Sequence, residues 1–329
     1  MPDLTPEDGA PTIGVVVVAY RSTPTLEACL RPLLADSGVV SIVVQDNSSD
    51  DVTRASVESL GDSRLRYFPD VNVGFAAGCN RGVEHLAGDV DWVAFVNPDV
   101  ELERSLSELV ALPGLGVRSV VGAQVESSRA PGVLSARRRV TRARELLKAV
   151  LGPRVYAMRA AAVPDGVIRV DQVSGALLLV RSGDFTAWGG FDTRFELYYE
   201  DVDLCARAPG GCAFVPQQWG RHVGGASSGS GADVSGAAYA AGRVSRMRYL
   251  RKHAPGATTE VTLVMLAGVE WVARSVGRAS EGPAARRAGL RAQLQELRRP
   301  GSVRMLGGLS AVAGSGSGGP TPVSEPGRP

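Results

Sequence analysis

The sequence predicts an α/β fold: a mixed, mainly parallel sheet flanked by helices, with amphipathic helices following it toward the C-terminus. Three observations lead there. From residue 13 onward, apolar runs of strand length alternate with helical patterns. The first run, IGVVVVA at 13–19, is continuous and β-branched, as a strand buried on both faces should be. Polar residues gather where three of the runs stop, the place where open α/β sheets carry their ligands.

After the first strand, TLEACLRPLLAD sets Leu26, Leu30, Leu33 and Leu34 on one helical stripe. VSIVVQ (40–45) reads as a second strand, and DVTRASVESL as a helix whose early acids suit the positive end of its dipole. RLRYFP is a third strand, GFAAGCNRGVEHLA a helix and DWVAFVN a fourth strand. VRSVVGAQVE (117–126) and SGALLLVR (174–181) read as further strands, and DVDLCARA as a short helix. A helix from about Ser235 to His253 closes the main domain, and HAPGA breaks the chain. The apolar stretch from Val261 to Gly277 is interrupted by Glu270 and Arg274 and falls short of the roughly 20 residues a membrane-spanning helix needs. With AARRAGLRAQLQELRRPGSVR it forms an amphipathic appendage, packed on the domain or a partner protein or lying on a membrane surface. The chain thus divides into a flexible N-terminus (1–11), a main domain (12–256), a helical appendage (257–313) and a disordered tail (314–329).

Composition narrows the function classes. A formal charge of +2 is too mild to require nucleic acid as a partner. Cys29, Cys79, Cys205 and Cys212 lie far apart with no CxxC spacing, which suits buried thiols in a reducing cytoplasm better than zinc or disulfides. The first residues, MPDLTPEDGAPT, lack the basic and apolar regions of a secretory signal, so the expected location is cytoplasmic. Between Arg137 and Arg159 eight basic residues face one acid, Glu145. That run is either a solvated helix face or a flap that meets an anionic acceptor or lipid headgroups.

The strand ends hold the candidate site. YRSTPTLEA, after the first strand, has no glycine, and NVGFAAGCNRG lacks the GK[ST] ending of a phosphate loop, so neither common nucleotide fingerprint is present. QDNSSDD puts Asp46 and Asn47 directly after the second strand, where a carboxylate can accept from a base or ribose, or serve only as a turn and helix cap. Gly74 and Gly78 allow close backbone approach, with Asn72 and Asn80 as neutral hydrogen bonders. In FVNPDVEL, Pro98 cannot donate to a ladder, so the strand stops and Asp99 belongs to the loop. A lone hard oxygen ligand there suits Mg²⁺ or Mn²⁺, which take their remaining ligands from water and phosphate; an ordinary turn acid is the alternative.

Taken in order, VVVVAYRSTPTLEACLRPL, VVQDNSSDD, NVGFAAGCNRG, FVNPDVEL, VSGALLLVR, WGGFDTRFELYYEDVDLCARA and HVGGASSG resemble the inverting glycosyltransferases of family 2, particularly their rhamnosyltransferase-like branch. The resemblance implies a GT-A fold over residues 12–256, a nucleotide-diphosphate sugar donor, a divalent metal (Mg²⁺ or Mn²⁺), and transfer to a hydroxyl with inversion. It implies a base contact for Asp46 and a metal-binding role for Asp99, the last acid of an Asp-x-Asp motif whose first acid is here Asn97. Asp201, paired with Glu200, corresponds to the catalytic base, and His222 to a ligand of the metal or diphosphate. The expected donor set is therefore Asp46, Asn47, Asn72, Gly74, Asn80, Asn97 and Asp99, with Arg207 and Arg221 as further candidates for phosphate.

Attack on an anomeric carbon independently wants a carboxylate within reach of the acceptor hydroxyl, and two adjacent acids raise the pKa of at least one. Glu200, Asp201 and Asp203 would also suit a plain helix N-terminus. The branch implies rhamnose from a thymidine-diphosphate donor and a lipid-linked or polysaccharide acceptor, while the amphipathic appendage and the basic stretch 137–159 point to contact with the inner membrane surface. A non-catalytic donor-binding or scaffold subunit of the same fold is the competing reading. A nucleotidyltransferase would want a glycine-rich, basic loop after the first strand, which YRSTPTLEA does not supply.

Overall fold

The computed structural model describes residues 9–128, 131–159, 166–222, 236–275 and 283–298. The expected tail at 314–329 and most of HVGGASSG lie outside the described residues.

The first half runs β1 (Ile13–Ala19), α1 (Thr23–Ala35), β2 (Val39–Asp46), α2 (Asp51–Glu58), β3 (Leu65–Pro69), α3 (Phe75–Glu84), β4 (Trp92–Val96), β5 (Val100–Leu102), α4 (Leu106–Ala111) and β6 (Val120–Ser127). The second half runs β7 (Val133–Arg137), α5 (Arg142–Leu151), β8 (Ala157–Arg159), β9 (Ile168–Val170), β10 (Gln172–Val173), β11 (Leu177–Arg181), α6 (Ser182–Ala187), α7 (Glu200–Arg207) and β12 (Cys212–His222). Helices α8 (Gly236–His253), α9 (Ala257–Ser275) and α10 (Pro283–Arg298) follow.

The main sheet is mixed, in the order β3-β2-β1-β4-β11-β6-β12-β5 with β9 against β12, and its two longest ladders, β1–β2 and β6–β12, are parallel. β11 enters antiparallel between β4 and β6. A small sheet, β10-β7-β8, stands apart from it. The run 13–19 is buried on both faces as its composition requires. Val15 and Val17 join the core under α1 and α4, while Val16 and Val18 join the one under α3, α6 and α7. Leu26, Leu30 and Leu33 of α1 are fully buried, and truncating one to alanine costs about 2–5 kcal/mol. Helix starts follow local chemistry: Asp50 caps α2 through Val52 N, and Thr141 caps α5 through Arg144 N.

β12, the longest strand, carries no recognisable period in the sequence. Pro216, Gln217 and Gln218 interrupt it, and the ladder with β6 absorbs them by register shifts between Val215 and Gln218 and between Gln218 and Gly220. The strand expected from residue 174 begins at Leu177, because 174–176 form a turn at the site.

Helices α5, α8, α9 and α10 pack together, and Met247, Tyr249, Leu250, Leu263 and Leu266 meet Phe195 and Val202 in a third core. Residue 256 lies between α8 and α9. Helix α9 buries Leu263 and Leu266 inward and also presents an apolar stripe outward. Its acids Glu260 and Glu270 face the protein, pairing with Arg251 (2.8 Å) and Arg246 (2.7 Å), while Val261, Val264, Met265 and Val272 are each more than half exposed. Among the described residues, no helix is long and apolar enough to cross a membrane.

Candidate active site

A cavity of about 1430 Å³ opens beyond the carboxyl ends of β1, β2 and β4. Tyr20, Asn47, Asn72, Gly74, Asn97, Asp99 and His222 line one side of it. The geometry there follows from strand pairing. Asn97 N donates to Ala176 O (3.0 Å), and Val100 N donates back to Asn97 O (3.1 Å), so the chain reverses at Pro98–Asp99 and enters β5. β5 pairs antiparallel with β12, and Val100 stands opposite His222. That register brings His222 Nε2 to 2.9 Å from Asp99 Oδ1 across 123 residues of sequence. Gly220 permits the approach, because a Cβ there would stand 2.6 Å from Glu101 O.

The pair tests well as a cation site. A buried carboxylate and a partly exposed imidazole, with the Asn97 amide beside them, supply hard oxygen and borderline nitrogen donors. No cluster of three His, Cys, Asp or Glu side chains exists among the described residues, so water and diphosphate oxygens would complete the coordination.

Asn47 lines the cavity. Its Nδ2 donates to Gly74 O (3.1 Å), and its buried Oδ1 has no hydrogen-bond partner among the described residues. Such an orphaned acceptor costs about 1–3 kcal/mol unless a ligand N–H or O–H meets it. Gly74 adopts φ +86°, with Glu196 O only 2.6 Å from where a Cβ would lie, so only glycine fits. Asn72 Oδ1 accepts from Gly74 N (3.1 Å) and fixes that loop.

Four of the expected residues do not line the cavity. Asp46 does not line the cavity; it is fully buried, accepting from Ser48 N (2.9 Å), Asp50 N (3.0 Å) and Tyr67 Oη (2.7 Å), and it shapes the loop that presents Asn47. Asn80 is spent on Phe191, its amide donating to the carbonyl and accepting from the N–H, both at 2.9 Å. Arg207 binds Asp203 (2.7 Å) and the carbonyls of Trp188 and Gly190, and Arg221 pairs with Glu103 (2.6 Å) at the surface. None of the four stands at the cavity wall.

Glu200 and Asp201 follow the segment Glu196–Tyr198, which lines the cavity. Tyr198 and Tyr199 both take positive φ (64° and 71°), a conformation costing on the order of 1–3 kcal/mol per residue, and deliver the acids at the first turn of α7. Asp201 Oδ2 accepts from Gly175 N (2.9 Å) and Oδ1 from Val202 N (2.8 Å). Gly175 is flanked by Ser174 and Ala176, which line the cavity, so Asp201 grips the same turn that Asn97 abuts. Glu200 is buried, with Oε2 lacking a partner among the described residues. Burial first, and the Asp201 charge second, push its carboxyl well above the usual range, which favours the protonated form. Asp203, three residues on, is bonded by His253 (2.7 Å) and Lys252 (2.6 Å) and docks α8 onto α7.

The other side of the cavity is built from the basic stretch. Arg137, Lys148, Arg154 and Tyr156 line it. Its lone acid, Glu145, is buried and accepts from Tyr156 Oη (3.0 Å) and Tyr199 Oη (3.2 Å), with Arg246 at 3.5 Å. One carboxylate thereby ties the stretch, the turn before Glu200 and α8 together. The excess of cations around one acid was its only trace in sequence.

The fold, with its ligand cavity at a strand-order switch, is a GT-A sheet. GalNAc-T7, solved with UDP, GalNAc and Mn²⁺, aligns at a TM-score of 0.55 and 12% identity over 74% of this chain and 48% of that one, a likeness of fold alone. The chain spans about half of that structure. The Glycosyl transferase family 2 profile matches residues 14–160. An N-acetylglucosaminyl-diphospho-decaprenol L-rhamnosyltransferase of Mycobacterium tuberculosis is 34% identical over 213 residues, 58% of this chain and 68% of that protein. Rhamnosyltransferase WbbL of Escherichia coli is 22% identical over 202 residues, 59% of this chain and 75% of that protein. The chain belongs to glycosyl transferase family 2.

Proposed function

We propose that this chain is a metal-dependent, inverting transferase that moves a sugar, rhamnose from a thymidine-diphosphate donor, onto a hydroxyl of a lipid-linked saccharide in cell-envelope glycan synthesis. The observation that carries the reading is the Asp99–His222 pair at 2.9 Å in a cavity large enough for two substrates. The rhamnosyl donor and the lipid-linked acceptor are supported by the similarity to the mycobacterial enzyme.

In this reading Asp99 and His222 hold Mg²⁺ or Mn²⁺, with Asn97 beside them. The bound cation would offset the charge gathering on the departing diphosphate. Asn47 Oδ1 and the Asn72–Gly74 loop hold the donor. Asp201 takes the proton of the acceptor hydroxyl as the new bond forms, on the face opposite the leaving group. Burial favours the protonated form of Glu200, which spares that base a second adjacent charge.

Release of nucleoside diphosphate by the purified chain with Mn²⁺ separates this reading from a non-catalytic donor-binding subunit. Asp201→Asn should lower turnover by about 10²–10⁴-fold and leave donor affinity unchanged. Undiminished turnover would remove Asp201 from the chemistry.

The proposed place of action is the inner membrane surface. Support comes from the outward apolar stripe of α9 and from basic residues on the helices that pack against it, Arg144 on α5 and the exposed Arg287 and Arg291 on α10, a charge that suits anionic headgroups. Val264→Glu with Met265→Glu should abolish co-sedimentation with anionic vesicles and spare donor binding. Unchanged sedimentation would rule this face out as the anchor.

A further inference from the structure

Resting on the transferase reading above, we propose that Arg137, Lys148 and Arg154 form a second anion subsite, on the acceptor side of the cavity, for the diphosphate of a lipid-linked acceptor. The three cations come from separate pieces of chain: the end of β7, the middle of α5, and the 3₁₀ turn Pro153–Tyr156. All three line the cavity that also holds Asp99 and His222.

Charge balance argues for a missing anion. Among the described residues neither the Arg137 nor the Arg154 side chain has an ion-pair or hydrogen-bond partner. Lys148 has Glu145 at 3.5 Å, but that carboxylate is already engaged by Tyr156, Tyr199 and Arg246. Burial, with Arg246 and Arg137 nearby, holds the Lys148 ammonium below its ordinary pKa despite the pull of Glu145. Cations gathered this way repel one another until an anion enters, and a diphosphate brings several charge-assisted acceptors at once.

Volume argues for a second ligand. Drug-sized ligands occupy pockets of about 300–1,000 Å³, and this cavity, at about 1430 Å³, leaves room beyond one nucleotide sugar. The position of α5 argues for a lipid-borne diphosphate over a free one. Lys148 turns into the cavity, while Leu147, Val150 and Leu151 of the same helix are exposed on its outer side. An anion held at Lys148 and Arg154 would leave an attached hydrocarbon chain beside that apolar edge, and α5 packs against α9 with its own outward stripe.

The test uses the full chain with three probes: a water-soluble short-chain prenyl diphosphate, inorganic pyrophosphate, and thymidine diphosphate with Mn²⁺. Arg137 and Arg154 are exposed, so Arg137→Gln with Arg154→Gln should fold as the wild type does. The double variant should bind the prenyl diphosphate at least about tenfold more weakly, with thymidine diphosphate binding unchanged. Arg137→Lys with Arg154→Lys should recover part of the loss, and the wild type should bind inorganic pyrophosphate more weakly than the prenyl compound. Unchanged prenyl diphosphate binding overturns the subsite, and an equal loss of thymidine diphosphate binding assigns the cations to the donor instead. Equal affinity for pyrophosphate and prenyl diphosphate overturns the lipid assignment. If the wild type binds prenyl diphosphate through these arginines but no thymidine diphosphate with Mn²⁺, the subsite stands and the transferase reading falls.

Discussion

The two walls of the cavity are held by different physics. The wall carrying Asn47, Asn97, Asp99 and His222 consists of strand ends, and main-chain ladders fix where each side chain stands. The opposite wall, from β7 through α5 to Tyr156, hangs on one buried carboxylate, Glu145, shared by two tyrosines, a lysine and Arg246. A ladder distributes its load over many weak bonds. A buried ionic hub concentrates it, so loss of one group leaves several charges or hydroxyls without a partner.

The largest expected effect follows from that contrast. Glu145→Ala should destabilise the protein by about 3 kcal/mol, the low end for a broken buried pair, because Arg246 keeps Glu270 at 2.7 Å. Urea unfolding would measure the loss. In the folded fraction, thymidine diphosphate binding with Mn²⁺ should persist while prenyl diphosphate binding fails; equal loss of both would mean that the two walls form one cooperative unit.

Gly74→Ala comes next and strikes the ladder-held wall. The strained φ and the 2.6 Å approach to Glu196 O should together cost about 1–3 kcal/mol and weaken donor binding, read by titration with thymidine diphosphate. Preserved donor affinity would detach this loop from the donor site.

The smallest effects are pH-dependent and opposite in sign for two acids three residues apart on α7. Burial raises the Glu200 carboxyl above its unfolded value, so its stability cost appears as pH rises past about 4.3. Glu200→Gln should therefore gain stability relative to the wild type between about pH 5 and 7. Burial would raise Asp203 too, but hydrogen bonds from His253 and Lys252 outweigh it and hold that carboxyl low. Its stabilisation is present above about pH 4 and is lost as pH falls through the depressed folded value. Lys252→Met should flatten that acid-side loss, and denaturation midpoints across pH would show both slopes.

Much of the ladder-held half could be read from residue order, because strand burial and helical stripes are written in neighbours two to four positions apart. IGVVVVA, the Leu26–Leu33 stripe and the stop at Pro98 all declare themselves locally. The sequence also marked the basic stretch as unusual and singled out Asp99 and His222, the latter through resemblance alone.

Tertiary structure decided the rest. It drew β12 through Pro216, Gln217 and Gln218, set Val100 opposite His222, and so joined two side chains 123 residues apart. It assigned Asn80 to Phe191 and Asp46 to its own loop, and left the neighbouring Asn47 with a buried acceptor that no described residue meets. It turned the lone acid of a basic run into a hub. Residue type states how many hydrogen bonds a group can make, whereas their destinations depend on chain segments that only folding brings within about 3 Å.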